Sequence, residues 1–160
     1  MNIWKTKKWI NYYKNHPPKR SGLRVRYDKN IDAEVKRAIK CFVAWMRDKY
    51  IFPMRVVIYV KESERVQARD GDMVFGTFFG PFNRNDEPYI RIATGDYCEL
   101  RGARGADNAL ASIISTVAHE LSHYFQWLNG LELTPLGEER QACNYASAIL
   151  DEYSETREHP

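Results

Sequence analysis

Apolar residues recur along this chain with two different periods, and the changes of period mark out its elements. Between residues 31 and 50, Val35, Ile39, Phe42, Val43 and Met46 return every three or four positions behind Asp32, a good helix-capping residue, so this segment is predicted to be an amphipathic helix. Three strand candidates follow it. Residues 55–60 form a β-branched run suited to a buried strand. Residues 73–79 are rich in Phe and interrupted by Gly76, which signals a bulge or a close backbone approach, and residues 89–93 alternate. The turn-rich stretch 80–88 joins the last two.

Helical periodicity then returns. A helix is predicted from Asp107 or Asn108, either one a suitable cap, to a stop at Asn129-Gly130. At about 100° per residue, Leu110, Ile113, Ile114, Val117, Leu121, Tyr124 and Leu128 form one apolar stripe. Thr134-Pro135 opens a further helix over residues 135–153, with Ala142, Cys143, Ala146, Ile149, Leu150 and Tyr153 on its stripe. Residues 1–15 suggest a short aromatic helix broken by His16-Pro17-Pro18. This order of elements predicts an α+β domain: an N-terminal helix, a small three-stranded sheet and two closing helices. It occupies residues 28–160, behind a basic aromatic arm at 1–27.

A chain of 160 residues can bury one sizeable core. No apolar run is long enough to span a bilayer, and the N-terminus lacks the apolar stretch of a secretory signal. Cys41, Cys98 and Cys143 are odd in number and have no C-x-x-C spacing, which suits a reducing, cytoplasmic setting. Charge is unevenly spread: residues 1–27 hold eight Lys or Arg and no acid, whereas 132–160 hold seven acids and two arginines. With Trp4, Trp9, Tyr12 and Tyr13 interleaved, the arm is a candidate contact for nucleic acid or an acidic partner. The competing reading is a solvated basic face whose aromatics pack on the domain.

The chemistry concentrates on the side of the helix opposite the stripe. His119-Glu120-Leu121-Ser122-His123 reads H-E-x-x-H, and two histidines four apart on a helix can both reach one metal ion. Ser112, Ser115, Thr116 and Gln126 share that side, and no Lys or Arg lies between Arg104 and Arg140. A solvated face normally mixes Lys with Glu, so this face reads as a cleft floor. A catalytic zinc site usually takes three protein ligands. Cys98 is a poor third, in a loop-like stretch with nothing to aim it. Glu139 is better placed, on the stripe at the start of the following helix, where a dication would compensate its charge; its competing role is to favour the helix dipole.

H-E-x-x-H followed by a helix-borne glutamate resembles the gluzincin pattern, which implies a zincin-like fold and zinc metallopeptidase activity. The segment Glu139-Arg140-Gln141-Ala142-Cys143-Asn144-Tyr145-Ala146, with Ile149-Leu150 after it, resembles the E-x-x-A-x-x-F-A-x-x-L-L segment of the small ImmA/IrrE-like metallopeptidases, compact bacterial and phage proteins. Gluzincins commonly carry Asp or Asn four residues after the glutamate ligand; here that position is Cys143.

These readings predict a zinc-dependent endopeptidase acting on a protein or peptide substrate. One Zn²⁺ per chain would be held by His119, His123 and Glu139, with metal-bound water activated by Glu120. Tyr153, His159 and Tyr97 are candidate oxyanion stabilisers. Zincins pair an extended peptide with a sheet edge, and the candidate edge is Tyr89, Ile90, Arg91, Ile92 and Ala93, with residues 73–79 second. The alternatives are a zincin-like protein that binds metal without hydrolysis, or a nucleic-acid-associated protease using the basic arm.

Overall fold

The β-branched run after Pro53 becomes the middle of a sheet, because its alternate side chains face helices on one side. A computed structural model describes residues 2–160. In chain order it contains α1 (Trp9–Asn15), β1 (Leu23–Tyr27), α2 (Ala33–Lys49), β2 (Val56–Lys61), β3 (Val66–Gln67), β4 (Met73–Val74), β5 (Gly76–Phe79), β6 (Tyr89–Ala93), α3 (Tyr97–Arg104), α4 (Ala106–Leu128) and α5 (Pro135–Ser154). The main sheet has the order β1-β2-β6-β5; β1, β2 and β6 run parallel and β5 is antiparallel to β6. Val56, Ile58, Val60, Ile90 and Ile92 are fully buried on its inner face. They share one core with the apolar stripes of α2 and α4.

The long helices begin for local reasons. The Asp32 carboxylate accepts the Glu34 N–H at 2.8 Å, and the Thr134 hydroxyl accepts the Gly137 N–H at 3.0 Å ahead of Pro135. Helix α4 starts one to two residues before the expected caps. Gly105, at φ +84°, turns the chain out of α3 and into α4, leaving Asp107 in the first turn. The expected stop holds, with Asn129 at the C-cap and Gly130 at φ +60°.

The expected three-stranded sheet is corrected to four strands plus a two-stranded ribbon, β3-β4. Two causes account for the difference. Leu23, Val25 and Tyr27 alternate with Arg24 and Arg26, so a strand lies inside what reads as a charge run. The 73–79 run splits at Phe75, with Met73–Val74 pairing with β3 and Gly76–Phe79 with β6. The Cys98 stretch is also helical, anchored by buried Tyr97 as part of α3.

Residues 1–27 do not stand apart as an arm. β1 is in the sheet, and Ile3, Trp4 and Tyr13 are buried in the common core. Trp4 packs against Tyr50 and Phe125, and the Tyr13 hydroxyl donates to the Arg84 carbonyl at 2.7 Å. Burial removes Trp4 and Tyr13 from stacking on an external ligand, while Trp9 and Tyr12 pack half-buried against the same core. Among the described residues, no helix is long and apolar enough to cross a membrane.

Candidate metal centre

Helix α4 turns its apolar stripe to the sheet and presents His119 and His123, one turn apart, on the side that meets α5. The buried Ala142 and Ala146 let α5 come close, and its first turns deliver Glu139 to the two rings. The two Nε2 atoms lie 3.2 Å apart. Glu139 reaches both, with Oε2 3.2 Å from His119 Nε2 and Oε1 2.9 Å from His123 Nε2. Three donor atoms from these residues fall within 4.8 Å of one another. A tetrahedral ion with bonds of about 2.0–2.1 Å spaces its ligands roughly 3.3 Å apart, so this donor set has the chemistry and the spacing for zinc. Burial, and then the neighbouring His123, push the His119 imidazole below its ordinary pKa, towards the neutral form that ligates metal.

The outer nitrogens show how the rings are aimed. His123 Nδ1 donates to Gln126 Oε1 at 2.8 Å, which leaves the Nε2 lone pair facing the cluster. The amide nitrogen of Gln126 in turn donates to the Glu138 carbonyl and to Gln141 Oε1, each at 3.0 Å. This one side chain, 4% exposed, therefore orients a ligand on α4 and ties down the turn of α5 that carries Glu139. Its position on the histidine face, uncharged and in the last turn of the helix, was the available signal in the sequence. Cys143 Sγ lies 3.7 Å from His119 Nδ1. A thiol is the weaker partner, so His119 is held less firmly than His123. Gln126→Leu is expected to weaken zinc affinity roughly 10- to 100-fold in a competition titration with a chromophoric chelator. Unchanged affinity would remove Gln126 from the site.

Comparison of the chain with protein-family models, curated proteins and solved structures finds no match. The functional case therefore rests on this geometry.

Glu120 sits beside the cluster at 6% exposure, and burial, reinforced by the charge of Glu139, pushes its carboxyl up to about 8. A cation among the three ligands would act in the opposite sense. What covers Glu120 is β5. A Cβ on Gly76 would come within 2.6 Å of Thr116 Cγ2 and 3.1 Å of Glu120 Cγ, so only glycine lets the strand lie on α4 here. At the far end, a Cβ on Gly80 would come within 2.5 Å of Trp127. Because the β-branched Thr116 cannot swing aside, Gly76→Ala should cost about 1–3 kcal/mol of stability in urea unfolding. An unshifted midpoint would argue against the close approach.

The cluster opens into a cleft of about 1110 Å³ running along α4, between β5 on one side and α5 with its preceding loop on the other. Two expectations are corrected at this point. Tyr89–Ala93 is not a free edge, because β6 is paired with β2 on one side and β5 on the other; the edge beside the site is β5, the second candidate. Ile90 and Ile92 of β6 are fully buried, as suits a strand inside the sheet. The second correction concerns Tyr153, His159 and Tyr97, none of which lines the cleft. Tyr153 lies about 14 residues beyond Glu139, roughly 21 Å along α5, in edge contact with Phe42. His159 is held at 2.7 Å by Asp107, at the far end of α4, and Tyr97 is buried at the start of α3. Glu139 itself is not buried as its place on the stripe suggested; its side chain is 60% exposed to the cleft.

Proposed function

We propose that this chain is a zinc-dependent endopeptidase of the gluzincin type, most similar in its motifs to the small ImmA/IrrE-like metallopeptidases. The observation that carries the reading is the convergence of His119, His123 and Glu139 beside a buried Glu120, on the floor of a cleft bordered by the edge strand of the sheet. His119, His123 and Glu139 hold the ion. A bound Zn²⁺ supplies a Lewis acid for the scissile carbonyl and lowers the pKa of water to about 7. Glu120 takes the proton of the attacking water and passes it to the leaving amine, and its covered position keeps bulk water from competing for that proton. β5 offers its free N–H and C=O groups to an extended peptide. Metal analysis of the purified protein, with cleavage of an unfolded protein substrate with and without chelator, tests the proposal. Stoichiometric zinc with chelator-sensitive cleavage is the expected result; absence of zinc after reconstitution would end it.

One observation favours metal binding without hydrolysis: none of the three candidate oxyanion stabilisers reaches the cleft. Under that reading zinc is retained, and no substrate is cleaved at any metal loading.

A further inference from the structure

Helices α2 and α4 cover the inner face of the main sheet, and its outer face carries a regular pattern of rings and arginines that lie outside the cleft. Two rows of Cα-paired residues cross all four strands on that face. One runs Arg24, Val57, Tyr89, Phe79, and the next runs Arg26, Tyr59, Arg91, Thr77. On β1, β2 and β6 burial alternates in step, with Arg24, Arg26, Tyr59 and Tyr89 exposed and their neighbours Leu23, Ile58 and Ile90 buried.

The rings form a continuous ridge. Tyr59 and Tyr89 meet edge to face with centroids 6.1 Å apart, and Tyr89 stacks on Phe79 at 5.1 Å. Tyr59 and Tyr89 each keep 36% of their surface in solvent. Cations flank the ridge, Arg24 and Arg26 on β1 and Arg69 over the Phe79 ring at 5.1 Å, while Arg91 within it donates to the Gln67 carbonyl. Neither row contains an acid. The carboxylates at its ends are already matched, Glu87 with Arg20 and Arg55, and Asp28 with Lys61 at 3.2 Å.

We infer that this outer face binds single-stranded nucleic acid. Rings on a flat sheet can stack on unpaired bases, while arginines along the same rows neutralise the backbone. A duplex hides the base faces on which exposed rings would stack, so the ligand is single-stranded. Row composition, with cations and rings but no acid, favours this polyanion over a protein surface of mixed charge. Binding here is independent of the peptidase reading, since of the two rows only Thr77 lines the cleft. Within residues 1–27, a candidate contact for nucleic acid or an acidic partner, it assigns the role to Arg24 and Arg26 rather than to the lysines.

The test is fluorescence anisotropy of a labelled oligouridylate and an oligothymidylate of about 12 nucleotides. Contacts to three or four phosphates should lower affinity roughly 20- to 50-fold between about 50 and 200 mM salt. Tyr59→Ala and Tyr89→Ala should each weaken binding roughly 5- to 100-fold, with Tyr59→Phe restoring most of it. The double reversal Arg24→Glu/Arg26→Glu should abolish binding, whereas Lys5→Glu/Lys8→Glu should change it little. No binding at low salt overturns the inference. So does equal affinity for a duplex, or loss of binding only in the Lys5/Lys8 variant, which would return the contact to the N-terminal lysines. Unchanged unfolding midpoints in the tyrosine variants separate lost stacking from lost fold.

Discussion

Glu120→Gln is expected to keep zinc and lose roughly 10²- to 10⁴-fold in the rate of peptide cleavage. The side chain is nearly isosteric, and it lies next to the three ligands rather than among them, so metal content should equal that of the native chain. A variant that still cleaves at the native rate would take Glu120 out of the mechanism. The same substitution has a second, independent signature in the metal-free protein. Burial and the charge of Glu139 hold the Glu120 carboxyl at about 8, above its ordinary value of 4.5. Because the folded pKa is the higher one, the folded state binds this proton more tightly than the unfolded chain does. Stability from this group is therefore fully present below about 4.5 and is lost progressively as pH rises to about 8. Glutamine has no such slope. Apo Glu120→Gln should gain on the apo native chain by on the order of 3–5 kcal/mol between those limits, read as diverging thermal midpoints. Parallel midpoints across the range would show that Glu120 is not buried as described.

The other large effect is expected at Glu139. Replacing it with alanine removes one of three protein ligands, and zinc affinity should fall by more than the roughly 10- to 100-fold typical of an outer partner. Glu138→Ala is the matched control. Its side chain also lines the cleft, but the atom that ties Glu138 to the site is its backbone carbonyl, which alanine keeps. Equal losses in the two variants would mean that the carboxylates act only through general negative charge, and the ligand assignment would fail. Removing Glu139 also withdraws the charge that helps push Glu120 up, so the apo pH slope should flatten in Glu139→Ala.

Helices were the legible part of the fold. Asp32, Thr134-Pro135 and Asn129-Gly130 act within a turn of themselves, and the stripes on α2 and α4 follow from a period that no distant contact can alter. Strands were less so. β1 was hidden because its outward residues are arginines, and an alternation of Leu, Arg, Val, Arg and Tyr has both a charge reading and a strand reading. Only the register with β2 separates them. The position of β6 inside the sheet and of β5 at its edge is likewise a property of partners tens of residues away.

What the sequence alone determined is the pair of imidazoles on one helix face and a carboxylate one element later, because i,i+4 spacing and helix caps are local geometry. Tertiary structure decided the rest. It brought the α5 carboxylate to within 3.2 Å of both rings, chose Gln126 to aim His123, and laid a glycine-hinged strand over Glu120. It also left three distant candidate side chains outside the cleft. Each of these depends on how closely two elements approach, and that distance is set by packing between side chains far apart in the chain.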